Sequence, residues 1–175
     1  MLIELRKGMT LHPGTFNAVI APEKVMVAAL NSNTDLRRFL FLYVSGNSSR
    51  LLNSINRSSK NFETRRSFTA HQLVTILKEA SHTVVLVEHD PTLFEGAEDL
   101  IPRIAGLLRD VGRESLVILY TPTMDRTFSG LMRQADHIIE IAPAEDNPGS
   151  MPHHRSRSHC GGESRPCAQR TLEAF

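Results

Sequence analysis

Short apolar runs alternate with helical patterns along the first 142 residues, and this alternation most restricts the fold. Each run has the length of a strand, and the middle three are apolar on both faces, as strands buried from both sides require. Strands that alternate with helices form βαβ units, which build a mainly parallel sheet with helices on both faces. The sequence therefore predicts a three-layer α/β sandwich with five strands, at 16–21, 39–44, 83–88, 115–120 and 137–142.

Helical patterns occupy the segments between these runs. One begins at about Glu23, and Asn47 or Ser48 is placed to cap a further helix after the second predicted strand. Three other segments repeat apolar residues at helical spacing. Their stripes are Leu73, Ile76, Leu77 and Ala80; then Leu100, Ile104, Leu107, Leu108 and Val111; then Phe128, Leu131, Met132 and Ala135.

The composition changes at about Pro143. Residues 143–175 contain Pro, Gly, Ser, Arg and His but no Val or Ile. Such a segment cannot bury enough apolar surface to offset the entropy lost on ordering. We expect one α/β domain over residues 1–142 and a disordered tail over 143–175. The histidines and cysteines of this tail match no zinc-finger spacing, so we expect no metal site.

Composition excludes several classes of protein. No apolar run approaches the roughly 20 residues that span a bilayer, and the first residues lack the apolar stretch of a signal peptide. The two cysteines do not form a disulfide framework, so we expect a cytoplasmic protein that does not enter membranes. The formal net charge of +1 gives no general attraction to nucleic acid, so any basic site must be local.

The junction between the first strand and the first helix has the position of a phosphate-binding loop but lacks its residues. A P-loop reads G-x-x-x-x-G-K-S/T, because glycine amides wrap the phosphates, lysine neutralises them and the hydroxyl holds Mg²⁺. Here Pro22 removes an N–H donor, and Val25, which cannot ligate a metal, follows Lys24. Two interpretations stay open: a short turn with a solvated lysine, or a residual phosphate site at Lys24.

Polar residues also follow the second and third predicted strands. Ser45 comes after the second strand, and Glu88 and Asp90 flank His89 at the end of the third. Ligands of open parallel sheets bind outside the carboxyl ends of the strands. An apolar strand ending in acidic residues resembles a Walker B segment, although many parallel strands end in Asp or Glu for structural reasons alone.

Taken together, four segments resemble the core of the RecA superfamily, which includes RadA-type recombinases and KaiC-like ATPases. The resemblance spans about residues 8–142 and implies a RecA-like P-loop NTPase fold with strand order 5-1-4-3-2. The segments are "LHPGTFNAVIAP", "RRFLFLYVSGNSSRLLNSI", "NFETRRSFTAHQLVTILKEASHTVVLVEHDPTLF" and "SLVILYTPTMDRTFSGLMRQADHIIEI".

The departures from that family suggest a pseudo-ATPase. The P-loop glycines and the Ser/Thr metal ligand are missing, and the second strand ends near Ser45 where the recombinases carry a catalytic glutamate. Phosphoryl transfer depends on positioning and charge stabilisation, so these losses remove most of its machinery. The resemblance leaves Lys24, Ser45, Glu88 and Asp90 as vestigial nucleotide-binding candidates, with no catalytic residue and no cofactor expected.

Three functions follow from these observations. The leading one is a non-catalytic RecA/RadA-like partner or regulator, with DNA repair or recombination as the implied process and a RecA-family homologue as an implied partner. In that case Glu88→Gln should keep or slightly raise stability, because it relieves repulsion between carboxylates. One alternative is an ATPase that uses ATP and Mg²⁺ at an unorthodox site. The other is a nucleic-acid-binding module that uses Arg50, Arg57, Lys60, Arg65 and Arg66.

Overall fold

The computed structural model of the protein describes residues 3–6 and 8–142. The predicted tail over 143–175 lies outside the described residues, so its disorder and the boundary near Pro143 stay predictions. Within the described ranges, no helix has both the length and the apolar content that crossing a bilayer requires.

Eight strands and four α-helices make up the described chain. The helices are α1 (Glu23–Ser32), α2 (Ala70–Glu79), α3 (Ile101–Gly112) and α4 (Arg126–Leu131). Short 3₁₀ segments lie at Thr34–Arg38, Pro91–Phe94, Glu98–Leu100 and Met132–Gln134. The strands are β1 (Ile3–Arg6), β2 (Met9–Leu11), β3 (Thr15–Ile20), β4 (Phe41–Ser45), β5 (Phe62–Arg66), β6 (Val84–Glu88), β7 (Leu116–Thr121) and β8 (His137–Glu140).

The main sheet is parallel and has the order β5-β4-β6-β7-β3-β8. The five predicted strands are therefore present and adjacent in the predicted order 5-1-4-3-2, but the predicted number of strands is wrong. A sixth strand, β5, extends the sheet beyond β4, with Phe62 opposite Phe41 and Arg66 opposite Ser45. Its sequence, FETRR, lacks the apolar run of a central strand because β5 is an edge strand and only partly buried.

Two apolar clusters confirm the three layers. On one face, α2, α3 and α4 cover residues such as Val85, Val87 and Leu119. On the other face, α1 and the antiparallel β1–β2 hairpin cover alternate residues of the same strands, including Leu86 and Ile118. The alternation follows from the period of two along a strand.

The helix predicted after the second strand is absent, and that prediction is wrong. Residues 47–60 form bends and turns, with one turn in which the Ile55 amide donates to the Leu51 carbonyl at 3.1 Å. Leu51 and Ile55 are still buried against the α1 face of the sheet. The segment therefore packs as an amphipathic helix would, while its main-chain amides find partners outside a helix.

Candidate functional site

A pocket of about 270 Å³ lies at the carboxyl ends of β4, β6 and β7. The chain leaves β4 towards the α1 face and leaves β6 towards the face that carries α2 and α3, so the pocket lies at a topological switch point. Its volume falls just below the roughly 300–1,000 Å³ of small-molecule sites. The lining residues are Ser48, Arg50, 88–91 and 121–125.

Glu88 ends β6 and is only 3% exposed. Its Oε2 accepts hydrogen bonds from the hydroxyls of Tyr43 and Ser49, the second at 3.0 Å. Its Oε1 accepts from the main-chain amide of Arg50 at 2.8 Å. The carboxylate therefore holds the loop after β4 in place, using donors from its own chain.

Two tyrosines adjoin this carboxylate from the neighbouring strands. Burial, and then the hydrogen bond to Glu88, raise the pKa of Tyr43 well above its usual range. Burial, and then the charge of Glu88, raise the pKa of Tyr120 to about 12. Both phenols therefore stay neutral at physiological pH, and Tyr43 serves as a hydrogen-bond donor to Glu88.

Asp90 is also mostly buried and also stabilises the local chain. Its Oδ1 accepts from the amide of Thr92 at 3.0 Å and from its hydroxyl at 2.7 Å, which begins the 3₁₀ segment after β6. Its Oδ2 accepts from the amide of Ser48 at 3.3 Å. Burial raises the pKa of Asp90, but the hydrogen bonds from Thr92 and Ser48 outweigh burial, and the pKa is lowered.

Gly46 allows the loop after β4 to pass close to Asp90 in the loop after β6. A Cβ atom at position 46 would lie 2.4 Å from both Cβ and Oδ2 of Asp90, nearer than real side chains come. A glycine is therefore required here for space. The sequence indicated a turn at Gly46 but not its contact with Asp90.

His89 and Asp125 form a buried pair that the sequence analysis did not identify. His89 Nε2 lies 2.7 Å from Asp125 Oδ2, and the histidine side chain is 1% exposed. The imidazole packs on Phe94 and meets the edge of Phe128. Asp125 Oδ1 also accepts from the Phe128 amide at 2.7 Å and so caps α4. Burial raises the pKa of Asp125, but these hydrogen bonds outweigh it and the pKa is lowered.

The four vestigial candidates do not form one site. Glu88 and Asp90 line the pocket, whereas Lys24 is exposed on the first turn of α1 and lies outside the lining. Ser45 is buried, and its hydroxyl has no hydrogen-bond partner among the described residues. Within residues 3–6 and 8–142, no group of three or more His, Cys, Asp or Glu side chains is arranged to hold a metal ion.

The five basic candidates likewise differ in their surroundings. Arg65 is engaged by two carboxylates, at 2.6 Å from Glu63 and 2.8 Å from Glu79. The hydrogen bond from Arg65, followed in size by the one from His82, lowers the pKa of the Glu63 carboxyl. Arg50 lies at the rim of the pocket. Arg50, Arg57, Lys60 and Arg66 are all exposed.

Comparison with known proteins relates the chain to an archaeal protein. No protein-family model matches the chain. A protein of Archaeoglobus fulgidus described as "Uncharacterized protein" is 41% identical over 133 residues, which cover 75% of this chain and 67% of that protein. The chain belongs to the family of that archaeal protein. Because fold and family do not define an activity, the function of this family must be inferred from the site itself.

The contacts of Glu88 replace the expectation that Glu88→Gln is harmless. Glutamine replaces one accepting oxygen with an N–H₂ donor, so either the Arg50 amide loses its acceptor or the hydroxyls of Tyr43 and Ser49 must reverse their hydrogen bonds, and the assistance of the charge is lost in both cases. We expect Glu88→Gln to lower the free energy of unfolding by about 1–3 kcal/mol. Urea denaturation measures this loss, and Glu114→Gln, at an exposed position, serves as the matched control. Equal stability of the two variants would contradict the structural role of Glu88.

Two glycine substitutions test the packing of Gly46 against Asp90. Gly46→Ala should destabilise the fold by about 1–3 kcal/mol, because the added methyl group overlaps Asp90. Gly106→Ala in α3, where a Cβ would meet nothing within 4 Å, should instead stabilise the fold by up to about 1 kcal/mol through helix propensity. Thermal melting of both variants decides the matter, and a shift of the same sign in both would refute the close approach.

Proposed function

We propose that the protein is a non-catalytic RecA/RadA-like protein that acts as a partner or regulator of another protein. The observation that carries this proposal is the engagement of Glu88, whose two carboxylate oxygens accept three hydrogen bonds from the same chain. A Walker B carboxylate needs accessible lone pairs for the magnesium shell, whereas Glu88 is 3% exposed and directs three of its roughly four lone-pair sites at its own chain. Asp90, the other acidic candidate, is similarly occupied by Thr92 and Ser48.

The chain between β3 and α1 also supports the absence of catalysis. Only Ala21 and Pro22 separate the strand from the helix, so no loop exists to wrap a phosphate. The amides of Val25 and Met26 both donate to the Pro22 carbonyl, at 3.0 and 3.2 Å. Glu23 already places a negative charge in the first turn, where it interacts favourably with the helix dipole and repels an anion.

The biological setting rests on the resemblance to the recombinases. DNA repair or recombination is the proposed process, a RecA-family homologue is a proposed partner, and the cytoplasm is the proposed location. Nucleic acid is a weaker proposal, because Arg65, one of the five basic candidates, is neutralised by Glu63 and Glu79.

A nucleotide titration separates this proposal from the ATPase alternative. We expect no saturable heat when ATP or ADP is added with Mg²⁺ up to millimolar concentration, because the turn between β3 and α1 offers no phosphate cradle and hydrogen bonds within the chain occupy Glu88 and Asp90. Isothermal titration calorimetry provides the measurement, with Lys24→Ala and Arg50→Ala as companions. Saturable heat in the wild type would refute the proposal. Its loss in Lys24→Ala would locate phosphate at the start of α1, and its loss in Arg50→Ala would locate phosphate at the pocket.

A further inference from the structure

The opposite end of the sheet carries a second concave feature, a small crevice of about 30 Å³. Phe41 and Phe62, the first residues of β4 and β5, form its floor with their rings stacked 5.0 Å apart. Leu30, Leu36 and Ile55 complete the apolar lining, which is buried except for the partly exposed Phe62. The amino ends of the strands therefore carry an apolar depression on the α1 face.

The walls of this crevice are joined to one another by hydrogen bonds. The carbonyl of Arg37 accepts from the Ser59 hydroxyl at 2.9 Å and from the Asn61 side-chain amide at 3.2 Å. Asn31 Oδ1, at the end of α1, accepts from the main-chain amide of Asn56 at 2.8 Å. The three chain segments are thus fixed relative to one another, and a preorganised surface loses less entropy when it binds a partner.

The surroundings of the crevice are basic, although the whole chain has a net charge of only +1. The two segments that border the crevice, residues 31–38 and 55–62, contain four basic residues, Arg37, Arg38, Arg57 and Lys60, and one acidic residue, Asp35. Asp35 lies 3.9 Å from Arg38, at an exposed position. Arg37 itself lines the crevice, while Arg57 and Lys60 adjoin the lining residues Asn56 and Ser59 in sequence and are exposed. We call the crevice and these three cations the basic crevice.

We propose that the basic crevice is the docking site for an acidic segment of a protein partner that inserts one aliphatic side chain. This inference rests on the proposed function and names the chemical class of its partner. The cations complement an acidic chain, which sets specificity and speeds association. The apolar floor gives the inserted side chain a place to be buried.

The size of the crevice favours a protein over a nucleic acid. A cavity of about 10–15 Å³ holds one water, so 30 Å³ accepts a small aliphatic group and excludes a nucleobase or an aromatic ring. Proteins that bind single strands offer exposed aromatic faces on which bases stack. Phe41 is only 3% exposed and already stacks on Phe62, so this pair provides no such platform.

The test uses the full chain and a fluorescent synthetic peptide of aspartate and glutamate with one central leucine. At low ionic strength, where charges are weakly screened, we expect saturable binding by anisotropy. Replacing the leucine with asparagine should weaken binding several-fold. The variant Arg37→Glu/Lys60→Glu should weaken it on the order of tenfold or more. Arg37 uses its main-chain carbonyl to hold the crevice, so changing its side chain leaves those hydrogen bonds intact.

A matched control separates a specific site from net charge. Lys78→Glu/Arg109→Glu makes the same change in charge on α2 and α3, which cover the other face, and should keep the affinity. The inference fails if no saturable binding occurs, if both double variants lose affinity equally, or if the asparagine peptide binds as well as the leucine peptide. It also fails if oligothymidine binds more tightly and depends on Arg37 and Lys60.

The proposed function and the docking proposal can be refuted independently of each other. Nucleotide binding with intact peptide binding would overturn the non-catalytic function and leave the basic crevice as a docking site. Absence of both nucleotide and peptide binding would overturn only the docking inference. Arg57→Glu/Lys60→Glu is a second charge variant for the case in which Arg37→Glu lowers the melting temperature, and it should weaken peptide binding to a similar extent.

Discussion

The buried carboxylate of Glu88 is the constraint on which the carboxyl edge of the sheet depends. A charge taken out of water is costly unless hydrogen bonds compensate for the lost solvation. Here the compensation comes from Tyr43 on the adjacent strand and from Ser49 and the Arg50 amide in the next loop. That requirement fixes the path of the chain after β4.

Asp90 and Gly46 extend the same constraint to the neighbouring loop. With no side chain at position 46, Asp90 approaches closely enough to bond Ser48 while it also begins the turn at Thr92. The His89–Asp125 pair then joins the end of β6 to the start of α4. Three consecutive polar residues at one strand end thus connect to the loops that follow β4, β6 and β7. An acidic strand end that would suit metal binding serves here to join loops.

Sequence reasoning found what depends on local patterns and missed what depends on distant contacts. The central strands were predictable because burial on both faces demands continuous apolar runs, and α2 and α3 because their stripes repeat at helical spacing. β5 was missed because an edge strand can be as polar as FETRR. Glu88 and Asp90 were identified, but their partners lie up to 45 positions away. His89 and Asp125 are 36 positions apart, so no sequence spacing indicated their contact.

The strength of its hydrogen bonds explains why the Glu88 network opposes metal-dependent nucleotide chemistry at this strand end. Each hydrogen bond to a charged group contributes about 1.5–3 kcal/mol, so turning either oxygen of Glu88 towards a metal ion would give up at least one contribution of that size. A ligand of micromolar affinity gains about 8 kcal/mol on binding. Recruiting Glu88 to a magnesium shell would therefore consume a substantial part of that gain before any metal–oxygen bond compensated for it. A single substitution at Lys24 or Val25 would not change this balance, because the donors to Glu88 come from β4 and from the loop after it. Building a nucleotide site here would require a different path for the chain at residues 46–50, and hence a different packing of the carboxyl edge.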